Sequence, residues 1–326
     1  MSTLFTSYLL LFAGAALGTA VALPAWRAWC RRVGLVDEPG RRKLHEQSVP
    51  LAGGLAVLTG LLLSLLALRL AVGLRPGDSP FLERLAGAAA EHAAQLWVLL
   101  GGAIAMTLLG WIDDRHELRP AWKFSGQFAV ALLVATAGVR LPEFGAGPLP
   151  AYLLTLLWIL TVTNAVNFTD NMDGLCAGLG MIAAGFFACV AGNEPLTATA
   201  ALLTAGAVAG FLPWNFPRAS AFLGDAGSHL AGYLLAILPL LPQLQAPPPP
   251  LPHARPFLTS LLFLAVPLSD LVSVVFIRWR RGQPFYVGDN NHFSHRLVRR
   301  GFTPVQAVMI LWTVAATAGA VGLLLH

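Results

Sequence analysis

The sequence predicts an all-α integral membrane protein with about ten transmembrane helices and an active site formed by its cytoplasmic loops. Three observations predict it: the composition, a series of long apolar segments, and the distribution of basic residues between loops. Of the 326 residues, 56% are hydrophobic and 11% are charged, and the mean hydropathy is +0.67. Water-soluble domains carry about a quarter charged residues, so this class is excluded. No repeat, long linker or soluble region divides the chain, which predicts a single polytopic domain over residues 1–326.

Ten apolar segments of about 15 to 21 residues are mostly long enough to cross the hydrocarbon layer as tilted helices. The segments cover residues 4–23, 53–72, 93–112, 122–138, 149–166, 174–192, 196–213, 227–241, 257–277 and 305–325. The first has no basic residue before it, and its apolar run is long for a signal peptide. We therefore interpret it as a retained membrane anchor.

The basic residues predict the orientation of these spans. Sixteen of the 21 Lys and Arg residues follow odd-numbered spans, four follow even-numbered spans, and Arg69 lies inside the second span. Positive residues accumulate on the cytoplasmic side of a membrane, so the odd-to-even loops are predicted to be cytoplasmic and both termini external. The net charge of +5 is then mostly a topology signal that also suits anionic lipid headgroups. We expect a lipid bilayer as partner and no nucleic acid.

Clusters of polar residues lie at the ends of apolar segments, and all of them fall on the predicted cytoplasmic side. Ionisable groups at the margin of a bilayer are costly and usually line a polar site. The clusters are Asp113-Asp114, the segment from Asn164 to Leu175, the segment from Phe222 to Ser228, and the segment from Asp289 to Leu297. One face of the membrane is therefore predicted to carry the chemistry.

Each cluster suits phosphate or metal chemistry and also has a simpler interpretation. The amide and carboxylate oxygens between Asn164 and Leu175 suit Mg²⁺ and a nucleotide base, although a polar loop would look the same. Asp225 lies between glycines at a helix start, which suits a phosphate or a plain helix cap. Asp113-Asp114 could bind a cation or simply end a helix.

The last cytoplasmic loop contains two histidines three residues apart, followed by an arginine. His292 and His295 would share a helix face, but no cysteine or glutamate at zinc spacing accompanies them. Binding of a pyrophosphate together with Arg296 is therefore better supported than zinc, and a solvated basic loop is the alternative. Asp270 lies inside the ninth span. A functional role and a structural pair with a neighbouring helix are equally favoured for this carboxylate.

The order of the motifs resembles the polyprenyl-phosphate N-acetylhexosamine-1-phosphate transferase family over nearly the whole chain. The motifs are Asp37-x-Pro-x-x-Arg-Lys-x-His45 with Pro50 and Gly53-Gly54, Gly110-x-x-Asp-Asp114 with Lys123 and Gln127, Asn164-x-x-Asn-x-x-Asp-x-x-Asp-Gly-Leu175, Gly224-Asp-Ala-Gly-Ser228, Pro267-x-x-Asp270, and Gly282-x-Pro284 leading to His292-x-x-His-Arg-Leu297. The family contains bacterial enzymes that initiate the synthesis of cell-envelope glycans, and the peptidoglycan translocase that makes lipid I.

The resemblance implies a Mg²⁺-dependent transfer of a sugar 1-phosphate from a UDP-sugar to undecaprenyl phosphate, with release of UMP. It implies a multi-pass enzyme of the bacterial inner (plasma) membrane whose active site faces the cytoplasm. The reaction would be the first step of a cell-envelope glycan pathway, such as cell wall or lipopolysaccharide biosynthesis. Mn²⁺ in place of Mg²⁺ and a homodimer are both left open.

The resemblance also implies a role for individual residues. Asp225 would be a metal ligand with Asn167 close by, and Asp113 and Asp114 would position or deprotonate the lipid phosphate or help hold the metal. The remaining implied substrate-binding residues are Lys43, His45, Lys123, Asn164, Asp170, Asp173 and Gly174, with Asp170 and Asp173 at the uridine and Lys43 at the nucleotide. His292, His295 and Arg296 would hold the diphosphate or the sugar.

The donor sugar and two rival functions stay open at this point. The lipid I synthase branch has consecutive histidines in its last loop, whereas this chain has His292-Phe-Ser-His295, which favours UDP-GlcNAc over UDP-MurNAc-pentapeptide. Asn171 stands where the family often has glycine. An ion-coupled transporter would need acids near the bilayer midplane, and only Asp270 fits that description. A polyprenyl diphosphate phosphatase would need no UDP-sugar.

Overall fold

The computed structural model describes residues 2–38, 48–74, 79–142, 147–192, 194–245, 254–284 and 290–326. These residues are helical apart from turns and one short antiparallel pair, β1 (Val36–Asp37) with β2 (Val49–Pro50). The helices are α1 (Ser2–Val33), α2 (Gly53–Leu74), α3 (Pro80–Glu91), α4 (Ala93–His116), α5 (Pro120–Thr136), α6 (Pro148–Phe168), α7 (Leu175–Val190), α8 (Pro195–Asn215), α9 (Gly224–Ile237), α10 (Pro242–Gln245), α11 (Ala254–Phe263), α12 (Ala265–Arg280), α13 (Phe293–Arg299) and α14 (Pro304–Leu325). The prediction of an all-α membrane protein is confirmed.

The count of ten spans is not confirmed by the helix lengths. Among the described residues, six helices are long and apolar enough to cross a membrane: α1, α2, α4, α6, α8 and α14. The pair α11 and α12 makes a seventh if it counts as one span. Three further predicted spans correspond to α5, α7 and α9, which have only 17, 16 and 14 residues. At about 1.5 Å per residue, such helices fall short of a hydrocarbon layer of about 30 Å.

The predicted ninth span is broken rather than continuous. Its two halves, Phe257–Phe263 and Ala265–Arg280, meet at an angle of 77°. Pro267 lies in the first turn of α12, where it offers no N–H and its ring would clash with the carbonyl of Phe263 in a continuous helix. The break therefore follows from the sequence, and it places Asp270 one turn into the second half.

Helix α9 lies at the centre of the bundle, and nearly all of its residues are buried. Glycines let two neighbouring helices come close to its first turn. A Cβ added to Gly110 of α4 would lie 2.1 Å from the carbonyl oxygen of Asp225, and one added to Gly54 of α2 would lie 2.3 Å from the nitrogen of Gly227. Neither contact leaves room for a side chain, so α9 and the residues at its start are held by direct backbone packing.

Candidate active site

Four helix ends meet around Asp225 and bring together residues that are far apart in the sequence. Asp113 lies in the last turn of α4, Lys123 in the first turn of α5, Asn167 in the last turn of α6, and Asp225 in the first turn of α9. We call these four residues the carboxylate cluster. All four were predicted site residues, and the structure brings them into contact with one another.

One ammonium group joins the two carboxylates of this cluster. Lys123 Nζ lies 2.7 Å from Asp113 Oδ2 and 3.1 Å from Asp225 Oδ2. Asp113 is buried, with 8% of its surface exposed, and its Oδ1 accepts a hydrogen bond of 2.8 Å from the Leu118 N–H. The Asp225 side chain is 31% exposed, so Asp225 is the carboxylate of the two that an incoming ligand can reach.

Asn167 fixes the other oxygen of Asp225. Its Nδ2 donates to Asp225 Oδ1 at 2.5 Å and to Ser228 Oγ at 2.7 Å. Both oxygens of Asp225 are thus oriented by neighbours, one by Lys123 and one by Asn167. Ser228 belongs to one of the sequence motifs, but no role was predicted for it.

Asp114 holds the N-terminus of α9 from the neighbouring helix α4. Its Oδ1 accepts from the Asp225 N–H at 2.8 Å and its Oδ2 from the Ala226 N–H at 3.1 Å. Gly224 has φ +71°, and a Cβ there would lie 2.7 Å from Asp114 Oδ2, so glycine is required for this approach. The sequence suggested that these N–H groups bind a phosphate or that Asp225 caps its own helix. The structure instead gives both N–H groups to Asp114.

The turn between α6 and α7 carries three more predicted site residues. Asp173 Oδ2 accepts a hydrogen bond of 2.9 Å from the Ala219 N–H, and the Gly174 N–H donates to Asn215 Oδ1 at 2.7 Å. These contacts hold the turn against the last residue of α8 and the segment that follows it. Asp170 is half-buried, and its desolvation raises the pKa of its carboxyl well above its usual range, with further repulsion from Asp225 and Asp114.

Asn164 lies one turn before Asn167 and is engaged with a different partner. Its Nδ2 donates to Gln127 Oε1 at 2.7 Å and to the Leu160 carbonyl at 2.8 Å. Gln127 is buried, so this amide pair fastens α5 to α6 beneath the carboxylate cluster. The predicted role of Asn164 in substrate binding stays a prediction.

The residues around α13 form a second group, the α13 cluster, which consists of Asp270, His292 and Arg296. His292 Nδ1 lies 2.7 Å from Asp270 Oδ2, and Arg296 donates to Ser273 Oγ of α12 at 3.1 Å. The rings of His292 and His295 are 6.3 Å apart. Asp270, which alone favoured a transporter, therefore pairs with a histidine of the candidate site.

One aromatic ring links the α13 cluster to the carboxylate cluster. Phe168 follows Asn167 directly, and its ring meets the His292 ring edge to face with centroids 5.5 Å apart. The guanidinium of Arg278 lies over the same Phe168 ring at 5.3 Å. Phe168 and Arg278 were not predicted as site residues. In the sequence, Phe168 looks like one more apolar residue at the end of a span, and Arg278 looks like one more basic residue of a cytoplasmic loop. Neither pattern indicated this arrangement.

Two of the predicted substrate-binding residues, Lys43 and His45, lie outside the described residues. Within the part of the chain that the structure describes, no three His, Cys, Asp or Glu side chains are gathered as a ready-made metal site. Asp225 and Asn167 do offer hard oxygen ligands of the kind that Mg²⁺ prefers. The ammonium of Lys123 lies where the carboxylates of Asp113 and Asp225 attract a cation. The residues thus fit Mg²⁺ if a bound phosphate supplies further oxygens.

Comparison with known proteins agrees with the motif order. Residues 96–242 match the model of glycosyl transferase family 4. A probable undecaprenyl-phosphate N-acetylglucosaminyl 1-phosphate transferase of Bacillus subtilis (strain 168) is 30% identical over 293 residues, which cover 87% of this chain and 75% of that protein. A decaprenyl-phosphate N-acetylglucosaminephosphotransferase of Mycobacterium tuberculosis (strain ATCC 25618 / H37Rv) is 32% identical over 334 residues, 94% and 80% of the two chains.

A third relative extends the agreement to another group of bacteria. The undecaprenyl-phosphate alpha-N-acetylglucosaminyl 1-phosphate transferase of Escherichia coli (strain K12) is 28% identical over 315 residues, which cover 91% of this chain and 78% of that protein. The similarity extends over nearly the whole chain and includes both clusters of the candidate site. The chain therefore belongs to the polyprenyl-phosphate N-acetylhexosamine-1-phosphate transferase family.

Proposed function

We propose that this protein transfers N-acetylglucosamine 1-phosphate from UDP-GlcNAc to a polyprenyl phosphate and releases UMP.

 The observation that carries the proposal is the carboxylate cluster, in which Asp225 is partly exposed, oriented on both oxygens, and placed at the meeting point of four helix ends. The names of the similar proteins, which act on undecaprenyl or decaprenyl phosphate, support the same reaction.

The reaction joins a phosphate oxygen of the lipid to the phosphorus that bears the sugar, and it breaks the bond from that phosphorus to the oxygen shared with UMP. Such transfers depend on positioning and on compensation of negative charge more than on covalent catalysis. Mg²⁺, when bound by Asp225 and Asn167, would neutralise the charge of the diphosphate. A lipid phosphate is already ionised near neutral pH, so we assign no residue of this chain as an obligatory base.

The chain's own residues supply the positioning. Lys123 compensates the two carboxylates of its cluster and lies where a phosphate oxygen can also use its ammonium. Asp114 holds the first turn of α9, and thereby Asp225, in place. Arg296 and His295 are proposed to contact the diphosphate, and His292 is proposed to contact the sugar.

The nucleotide is proposed to bind beside the turn that carries Asp170, Asp173 and Gly174. Burial raises the pKa of the Asp170 carboxyl, which favours its protonated form, and a protonated carboxyl can donate a hydrogen bond to a carbonyl of uracil. Lys43 and His45, outside the described residues, are proposed to reach the nucleotide from the first cytoplasmic loop, and Asn164 supports the site from beneath.

An assay of purified protein tests the reaction class and the donor together. The protein would be incubated with undecaprenyl phosphate, Mg²⁺ and a panel of UDP-sugars, and both UMP release and sugar-labelled lipid would be measured. We expect both products with UDP-GlcNAc and neither without the lipid. Transfer only from UDP-MurNAc-pentapeptide would move the protein to the lipid I branch. Phosphate release from polyprenyl diphosphate, without any use of a UDP-sugar, would replace the proposal by a phosphatase.

We also propose that the site faces the cytoplasm of a bacterial inner membrane, because the basic residues lie predominantly on that side. Single cysteines would be introduced at Arg218 and at Pro249 after replacement of Cys30, Cys176 and Cys189. An impermeant thiol reagent added to intact cells should label only the Pro249 position. Labelling of both positions from outside would contradict this orientation.

A further inference from the structure

The paired side chains of Asp270 and His292 form a buried contact that the reaction described above does not use. Only 3% of the Asp270 surface and 7% of the His292 surface are exposed. Asp270 Oδ2 lies 2.7 Å from His292 Nδ1, and Asp270 Oδ1 accepts a hydrogen bond of 2.7 Å from the Phe293 N–H. One carboxylate thus holds both the ring of His292 and the first backbone N–H of α13.

This geometry determines which ring nitrogen carries the proton. An ionised carboxylate can only accept hydrogen bonds, and a carboxyl group is a much stronger acid than an imidazolium. The short contact to Oδ2 therefore requires the proton on Nδ1. In the neutral ring, the second nitrogen, Nε2, is then a hydrogen-bond acceptor. Carboxylate partners orient histidines in this way at many metal and catalytic sites.

The position of Asp270 depends on the break between α11 and α12. Asp270 lies one turn after the 77° bend, and the same face of the site receives two further contacts from α13. Ser294 Oγ donates to Asn171 Oδ1 at 2.6 Å, and Arg296 donates to Ser273 Oγ at 3.1 Å. The docking of α13 therefore has several supports, whereas the proton on His292 Nδ1 is held by Asp270. These two roles can be separated by mutation.

We propose that Asp270 is a positioning residue that keeps His292 protonated on Nδ1, so that Nε2 accepts a hydrogen bond from the sugar of the donor. A hydroxyl or the amide N–H of an N-acetylhexosamine can donate to Nε2, whereas the oxygens of the diphosphate only accept. His292 then recognises the sugar, and the diphosphate is left to Arg296 and to the carboxylate cluster. This inference rests on the proposed transferase function.

Asp270→Asn tests the proposal with little change in shape. The amide can still accept from the Phe293 N–H through its oxygen, but its NH₂ group would donate to Nδ1 and move the ring proton to Nε2. We expect kcat/KM for UDP-GlcNAc to fall by about 10- to 100-fold, as is typical when the partner of an oriented histidine is lost. The KM for undecaprenyl phosphate should not change. Ser294→Ala is the matched control, because it weakens the docking of α13 without touching Asp270, and its loss of kcat/KM should be smaller.

A spectroscopic measurement tests the proton position without any activity. Protein labelled with ¹⁵N-histidine would be compared with Asp270→Asn, and His292→Asn would identify the signal among the eight histidines. We expect the Nδ1-protonated ring in the wild type and in Ser294→Ala, and the Nε2-protonated ring in Asp270→Asn. A wild-type ring protonated on Nε2 or on both nitrogens, or equal losses of kcat/KM in the two variants, would overturn the proposal. If the wild type releases no UMP from UDP-GlcNAc, the transferase proposal fails while the spectra still decide the role of Asp270.

Discussion

The carboxylate cluster and the α13 cluster are neighbours, but they are built in different ways. The carboxylate cluster forms where the ends of four packed helices meet, and one lysine compensates two carboxylates. The α13 cluster forms at a broken span and a seven-residue helix, and hydrogen bonds to Asp270, Asn171 and Ser273 hold it. Changes in the first cluster should therefore affect folding stability and activity together. Changes in the second should affect the orientation of groups with little loss of stability.

Lys123→Met should give the largest loss of stability. It would leave the buried carboxylate of Asp113 without its cation, and breaking a buried ion pair costs about 3 to 5 kcal/mol in the free energy of unfolding. The partial exposure of Lys123 places the expected loss near the lower limit. The measurement is thermal unfolding of the purified protein in detergent.

The double variant Lys123→Met with Asp113→Asn is the matched control. It removes both charges and should recover most of the lost stability, since the two residues are in direct contact and their effects are not additive. If Lys123→Met unfolds at the wild-type temperature, the two carboxylates do not depend on this lysine, and the contrast between the clusters is wrong.

Asp225→Asn should leave the protein folded and remove most of its turnover. The amide has the same size, but one charge at the proposed diphosphate site is lost, and removal of one such group commonly costs about a hundredfold or more in rate. UMP release would be measured over a series of Mg²⁺ concentrations. Glu83→Gln on α3, where the side chain is exposed, controls for the loss of an acid elsewhere. Turnover near the wild-type rate with ordinary Mg²⁺ dependence would refute the metal role.

Asp170→Asn should stabilise the protein at neutral pH. The pKa of Asp170 is raised in the folded state, so the folded protein binds its proton more tightly than the unfolded chain. Stability is therefore lost as the pH rises above the unfolded value of about 4. The variant has no such loss, and its advantage in unfolding temperature should shrink as the pH falls towards 4. An advantage that grows on acidification would contradict the raised pKa.

His229→Leu should have the smallest effect. Its Nδ1 lies 2.6 Å from the Asp225 carbonyl, but among the described residues its buried Nε2 has no hydrogen-bond partner. Loss of the first contact costs about 1 kcal/mol, while removal of the unpaired nitrogen recovers about 1 to 3 kcal/mol. We expect a change in stability within about 1 kcal/mol, towards stabilisation. A large loss of stability would show that Nε2 has a partner, such as an internal water.

The sequence predicted the parts that depend on composition and on local patterns. The apolar segments predicted the helical class, and the motifs predicted that Asp113, Asn167 and Asp225 would share one site. Pro267 is a local signal for the break in the ninth span. The apolar segment is long enough to be interpreted as one continuous helix, so the break was not predicted. Local patterns cannot give the count of complete spans, because a helix of 14 residues and a longer one can have the same hydropathy.

Contacts between distant segments could not be predicted in the same way. The two hydrogen bonds from α9 to Asp114 join residues more than a hundred positions apart. The pairing of Asp270 with His292 depends on the angle of the break and on the docking of α13. A carboxylate in the sequence looks the same whether it holds a metal, a helix end or a histidine ring, and only the fold decides between these uses.

Asp114 also has a consequence for inhibitor chemistry. The first turn of α9 carries the positive end of a helix dipole, which would ordinarily attract an acidic ligand. Since the Asp114 carboxylate already occupies the Asp225 and Ala226 N–H groups, a carboxylate or phosphonate directed there would have to displace an internal anion and would gain little. Compounds that imitate the diphosphate should instead be directed at Lys123, whose positively charged side chain is 21% exposed.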